Sequence, residues 1–462
     1  MYLMHRSQPI MEIDIDKSIY KILNESLLPI RLKGAITDNR DFNRDRIIEF
    51  LASRVINIDR TNAKKLLNAF HFTQSQELTD KARIAVTCKA VSMTDCFWIK
   101  QESDPTTWDE INPQANSLNQ IVTHIALTGS SLTLTGRIHT PELTGHGSYA
   151  KAWVREKDGI YLYKRSTKDG QESEKEVMTS NILDCFYLPH VIYLDAQFDN
   201  FYVCKCKNMC NDNLSIVTAE DVYRYCSRNS IDFMKFILDI DKDAVYKMCI
   251  IDYLISNSDR HLQNWGFYVN NNTGNLLCCH PLYDHNNAFD DGDMEASDGG
   301  ESQIMPGHSK KEVALYCIKE TELVNKEPIK RKLFMNETMY DTFMKRCTEL
   351  DLYHPQKPNF FQKIHILPYE KFIPNKIIAD DQDKLMPNYE QKRKLDDDTI
   401  SFKDYTDEKI SEYQAKKKNI EIDNKLDSQS EHILTDEPLP KSLLSASIKS
   451  SFDEEDIEPD DL

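Results

Sequence analysis

Residues 256–267 read SNSDRHLQNWGF, with Asp259, Arg260, His261 and Asn264 crowded into six positions. An apolar run, MCIIDYLIS, precedes them and Trp265-Gly266-Phe267 follows. WGFYV, NNNTG and NLLCCHPLYD then read as strand, turn and strand, returning a second acid, Asp284. Two acids and an amide supply hard oxygen atoms. Such a set suits phosphoryl transfer: one carboxylate stands by an attacking hydroxyl, while an amide oxygen and a second carboxylate hold Mg2+ against phosphates.

Protein kinases use this geometry, an Asp followed at +5 by an Asn and then a metal-binding Asp after a short strand pair. A cation for the nucleotide is then expected upstream. Lys164 closes the strand-like run GIYLYK, and Glu176 heads the apolar stripe of the next helix as its expected partner. Glu172 and Glu174 stay open as alternatives by spacing. Within ELTGHGSYAK, Gly145 and Gly147, with Ser148 beside them, allow backbone N–H groups to approach phosphate oxygens closely. Arg260 is read either as balancing the acid cluster or as a surface ion pair. The order along the chain carries the reading: glycine loop, lysine strand, acidic helix, Asp-x4-Asn loop, hairpin, Asp.

The elements that must position these residues form an α+β pattern. SLTLTG, YAKAWV and GIYLYKRS read as short strands of a small antiparallel sheet, and ESEKEVMTSNILDCF as a helix with Val177, Ile182, Leu183 and Phe186 buried. AEDVYRYCSRN, SIDFMKFILDI, DAVYKMCIIDYLIS and NETMYDTFMKRCTEL read as further helices. Residues 1–125 are expected to be a mostly helical accessory region, with VSMTDCFWIKQESDPTTWDEINP a packed loop anchored by Trp98 and Trp108. Residues 126–200 are expected to form the nucleotide-binding sheet lobe and 201–380 the helical catalytic lobe. Residues 381–462 are expected to be a charged, disordered tail.

The chain has 462 residues, 40% of them hydrophobic, and a formal net charge of −18. Residues 390–462 carry 21 acids and 11 bases, so −10 of that charge sits in the tail and the body is only mildly acidic. That balance argues against a nonspecific nucleic-acid or anionic-membrane surface, which needs clustered Lys and Arg. No run reaches the roughly 18 to 20 apolar residues of a membrane span. The amino terminus has no apolar stretch suited to a secretory signal, and the 12 cysteines are scattered through apolar contexts, so a cytoplasmic location is expected. In VCKCKNMC, the spacing of Cys204, Cys206 and Cys210 is read as buried thiols rather than a metal site.

The stretches PELTGHGSYAKAW, GIYLYK, EVMTSNILDC, SNSDRHLQNWGF and HPLYDHNNAFD together resemble the HipA-like family of bacterial serine/threonine kinases. The family has a D-x-H-x-x-N catalytic loop and a metal acid in a P-x-Y-D segment, and the resemblance spans roughly residues 131–380. It implies a two-lobed protein-kinase-like fold and Mg-ATP as phosphoryl donor. It further implies Asp259 as catalytic acid/base with His261 orienting the loop, Asn264 and Asp284 on Mg2+, Lys164 on the nucleotide phosphates and Glu176 as its ion-pair partner. A protein substrate and an antitoxin-like partner follow from it too. The family's toxins carry a phosphorylatable serine just before the glycine of the phosphate loop, where this chain has Thr144.

Phosphoinositide kinases share an Asp-Arg-His-x-x-Asn loop, which DRHLQN reproduces, but they need a basic, membrane-facing surface. The segment after the metal acid, NNAFDDGDMEASDGGE, carries acids and no Lys or Arg. A nucleotide-binding pseudokinase scaffold is the other alternative, and it has no need to keep Lys164, Asp259, Asn264 and Asp284 together.

Overall fold

A computed structural model of the chain describes residues 1–14, 19–34, 40–132, 134, 140–144, 147–168 and 170–352, all in one compact unit. The expected tail at 381–462, Gly145 and much of the SLTLTG run lie outside these residues.

The amino-terminal module comprises β1 (Tyr2–His5), β2 (Gln8–Asp14), β3 (Ile19–Ile22), α1 (Arg40–Ala52), α2 (Ala63–Ala69), α3 (Leu78–Thr87), β4 (Phe97–Lys100), α4 (Trp108–Ile111) and α5 (Gln120–Thr128). Its strands form an antiparallel sheet in the order β3-β2-β1-β4. The mostly helical reading did not include this sheet, whose Leu3, Ile10, Met11, Ile13 and Ile99 join Ile47, Leu51, Leu66 and Ile84 in one core. The supposed loop holding the two tryptophans is also corrected. Trp98 lies in β4, where its ring N–H donates to the Arg6 carbonyl at 2.7 Å, and Trp108 opens α4 behind a Thr107–Glu110 capping box.

The second sheet contains β5 (Ala150–Glu156), β6 (Gly159–Arg165), β7 (Tyr193–Phe198) and β8 (Phe201–Lys207), in the antiparallel order β5-β6-β8-β7, with α6 (Glu172–Leu183) packed on it. The expected boundary at 125/126 falls inside α5. That helix sends Val122 and Ile125 into the amino-terminal core and Ala126 and Leu127 against Ala152, Tyr161 and Tyr163 of the sheet. The two modules therefore share a helix.

The remainder comprises β9 (Leu214–Thr218), α7 (Ala219–Arg228), α8 (Phe233–Leu254), β10 (Gly266–Asn270), β11 (Leu276–Cys279), α9 (Asp291–Glu295), α10 (Lys310–Glu320) and α11 (Glu337–Glu349). Its core joins Ile250, Ile251 and Leu254 of α8 to Trp265, Phe267, Val313, Cys317 and Phe343. Two helices read separately from the sequence run together as α8, with a break at Asp241 (φ −156°, ψ 72°). Asp241 holds the break open by accepting hydrogen bonds from the amides of Ala244 at 3.2 Å and Cys279 at 3.0 Å.

Gly266 sits where the 259–264 loop enters β10, paired with Thr218. A Cβ there would lie 2.0 Å from the Val217 carbonyl oxygen and 2.9 Å from the Thr218 Cα, both backbone atoms that cannot swing away. Gly266→Ala should therefore cost about 1–3 kcal/mol through overpacking, read as a lower urea midpoint; an unchanged midpoint would show that the strand pair tolerates the methyl group.

Candidate active site

Lys164 is the penultimate residue of β6 and is buried, with 8% exposure. Its amine donates to Glu176 Oε1 at 2.5 Å, Asp284 Oδ1 at 2.7 Å and the Tyr193 hydroxyl at 3.0 Å. Three elements distant in sequence thus meet on one ammonium. Glu172 and Glu174, left open by spacing, are engaged elsewhere: Glu172 accepts from the Thr167 amide and hydroxyl, and Glu174 from the Ser166 hydroxyl. The second oxygen of Glu176 accepts from the His285 amide at 2.8 Å, so α6 also grips the backbone next to Asp284. Asp284 has φ +61°, a left-handed conformation uncommon outside glycine.

Charge and burial compete in setting the protonation of this cluster. Burial works against the Lys164 ammonium, but Asp284 and Glu176 outweigh it and hold its pKa well above the ordinary range. Burial likewise disfavours the Asp284 carboxylate, but Lys164 and Lys151 overcome that and hold it well below the usual range. For Glu176, burial wins and raises the pKa despite Lys164.

The facing wall is the 259–264 loop. Asn264 donates from its side-chain nitrogen to the Asp259 carbonyl at 2.8 Å, leaving its oxygen as the atom able to take a cation. Asn264 and Asp284 line one cavity of about 760 Å³ together with Gly147, Ser148, Lys151 and His261. The described residues contain no group of three His, Cys, Asp or Glu side chains arranged for a metal. An amide oxygen and one carboxylate fit Mg2+, which completes its shell with water and phosphate oxygens. The Asp259 carboxylate accepts from Asn287 Nδ2 at 2.9 Å, and His261 Nε2 lies 3.6 Å from its other oxygen. The half-exposed His261 ring accepts the Gln263 amide at Nδ1, 3.2 Å away.

Arg260 is 1% exposed, which corrects the surface-pair reading. Its guanidinium takes Asp252 through Nε–Oδ2 and Nη2–Oδ1, both 3.0 Å, and donates to the carbonyls of Asn264 and Tyr283 at 2.8 Å each. One side chain therefore sets the spacing between the Asp259 loop and the Asp284 segment.

Across the cavity, Gly147 has φ +88°, and a Cβ there would lie 2.6 Å from Lys151 Nζ. The left-handed φ is what calls for glycine here, since the end of the Lys151 side chain can swing aside. Ser148 is exposed, whereas Thr144 is buried with its hydroxyl near the Pro141 and Val91 carbonyls at 2.9 and 3.1 Å. Sequence reasoning missed Lys151, which stands opposite Lys164 in the β5–β6 pair, and Asn287, which holds Asp259. A lysine four residues after Gly147 was the available signal for the first; nothing local marked the second. Residues 206–210, read only as thiols, supply cavity wall at the end of β8. The Cys204, Cys206 and Cys210 thiols are pushed up by burial.

No protein-family model and no curated protein matches the chain. Among solved structures, it is similar to the Helicobacter pylori proinflammatory kinase CtkA, with 14% identity and a TM-score of 0.33 over 44% of this chain and 92% of that one. It is also similar to a chain of the Shewanella oneidensis toxin–antitoxin complex of HipA, HipB and operator DNA, with 9% identity and a TM-score of 0.44 over 76% of this chain and 97% of that one. Likenesses this loose carry no functional argument, so the functional reading rests on the side chains.

Removing Arg260 would strand the Asp252 carboxylate in the core. Arg260→Met is expected to cost about 3–5 kcal/mol in urea denaturation, with part recovered in the Arg260→Met/Asp252→Asn double variant. Equal stabilities for wild type and the single variant would contradict the bracing role.

Proposed function

We propose that this chain is a HipA-like protein serine/threonine kinase that transfers the terminal phosphate of Mg-ATP to a protein hydroxyl. The observation that carries the reading is the buried ammonium of Lys164 bonded at once to Glu176 and to Asp284, the second of which lines the same cavity as Asn264. In protein kinases the strand lysine, the helix glutamate and the metal-binding aspartate must all be in place for activity.

In this reading Mg-ATP supplies the phosphoryl group and the divalent charge that neutralises it. Lys164 and Lys151 bind phosphate oxygens, and Gly147 and Ser148 present backbone beside them. Asn264 and Asp284 offer oxygens to Mg2+. Asp259, oriented by Asn287, accepts the proton of the attacking hydroxyl. Residues 206–210 form the wall for the base. A protein acceptor is favoured over a lipid because the segment after Asp284 presents Asp291, Glu295 and Asp298 to solvent and contains no Lys or Arg. No helix among the described residues is long and apolar enough to cross a membrane. An antitoxin-like partner and a cytoplasmic setting belong to the same proposal through the HipA resemblance.

Incubation with radiolabelled Mg-ATP tests the reading. Wild type should label a protein in a lysate or itself, Asp259→Ala should bind ATP yet lose transfer by at least about 100-fold, and Asp284→Ala should lose the magnesium dependence of binding. Labelling of phosphoinositide vesicles alone would favour the lipid reading, and failure to bind nucleotide would sink both.

Burial pulls the Lys151 amine down to about 7, with Arg60 and Lys164 adding to it against Asp284 and Glu176. A triphosphate beside it favours the ammonium. ATP binding between about pH 7 and 8 should therefore take up protons, measured as a dependence of the calorimetric heat on buffer ionisation enthalpy. Lys151→Met should abolish the uptake; uptake that persists in it would assign the effect to another group.

A further inference from the structure

The amino-terminal module reaches into the phosphate loop through the connection between α1 and α2. Ile56 N donates to the Leu143 carbonyl at 2.6 Å, and Thr61 N donates to the Ser148 carbonyl at 2.9 Å. Between these two contacts Arg60 donates from Nη2 to the Lys151 carbonyl. Arg60 is 4% exposed, and its charge is felt by Glu142. Glu142 is buried in turn, accepting from the Thr140 hydroxyl and, at 3.2 Å, from the Trp153 amide. The loop is thus held on both flanks of its glycines, by Ile56 before them and by Thr61 and Arg60 after them. Arg60 lines the same cavity as Gly147, Ser148, Lys151, Asn264 and Asp284.

A glycine-containing loop has many conformations, and ordering it on binding subtracts from affinity unless it is ordered beforehand. A guanidinium can serve the Lys151 carbonyl and a neighbouring carboxylate together because its donors are fixed in a fork; an ammonium is a single point charge.

We propose that Arg60 is a positioning residue through which the amino-terminal module holds the phosphate loop in its nucleotide-binding shape. This rests on the phosphotransferase reading above. Arg60 acts through the backbone of residues 147–151, so its loss weakens nucleotide binding more than it slows transfer. It also gives the amino-terminal module a role inside the nucleotide site.

The test uses the full chain with Mg-ATP. Arg60→Gln should raise the ATP Kd and KM by about ten-fold while kcat changes by less than about two-fold, and Arg60→Lys should recover part of the loss. Amide hydrogen exchange across residues 147–152 and at Thr61 should quicken in Arg60→Gln, while exchange in β10 and β11 stays as in wild type. Should Arg60→Gln fail to fold, Arg60→Lys carries the test, with a smaller rise in KM expected. An unchanged KM in a folded variant, with wild type binding normally, overturns the proposal and leaves the kinase reading standing. A wild-type chain that binds no Mg-ATP overturns the kinase reading; the clamp is then judged by exchange alone, with faster exchange at 147–152 upholding it and unchanged exchange refuting it.

Discussion

The cleft depends on a charge imbalance built around Lys164. One ammonium meets two carboxylates, Glu176 and Asp284, in a buried setting where unpaired charge is costly. A lone lysine cannot neutralise both acids. Lys151 and Arg260 help to hold Asp284 ionised, but Arg260 is already committed to Asp252. The same interaction draws β6, α6 and the segment after β11 onto one another.

Rigidity around that cluster comes from backbone-directed side chains. Arg260 spans the Asp259 and Asp284 segments, and Glu176 holds the His285 amide. Arg346 of α11 donates to the Tyr253 carbonyl at 2.5 Å and the Ser256 hydroxyl at 2.6 Å, and also reaches the Asp293 carbonyl. Each is a buried cation or anion fixing a loop whose own residues are too irregular to fix themselves. The left-handed φ of Asp284 is tolerated because both neighbours of that residue are gripped, Tyr283 through its carbonyl and His285 through its amide.

Legibility in the sequence followed chain proximity. Asp259, Asn264 and Asp284 stand out because one helix, one loop and one hairpin carry them within 26 residues. Lys164 and Glu176 stand out because β6 runs almost directly into α6. The amino-terminal sheet was hidden: β1, β3 and β4 are four residues each, too short for alternation to show. Lys151 went unread because only the pairing of β5 with β6 sets it opposite Lys164, and Arg60 gave no signal at all.

By itself, the sequence determined the α+β character and the order of the elements that carry the candidate acids, amide and lysine, because local spacing dictates helix, strand and turn. Tertiary structure decided which of three glutamates meets Lys164, that Arg260 is an internal brace, and that Asn287, Lys151 and Arg60 belong beside the cleft. Those outcomes depend on side chains brought together from elements far apart in the chain, where burial and charge pairing select the partner and no local pattern records the choice.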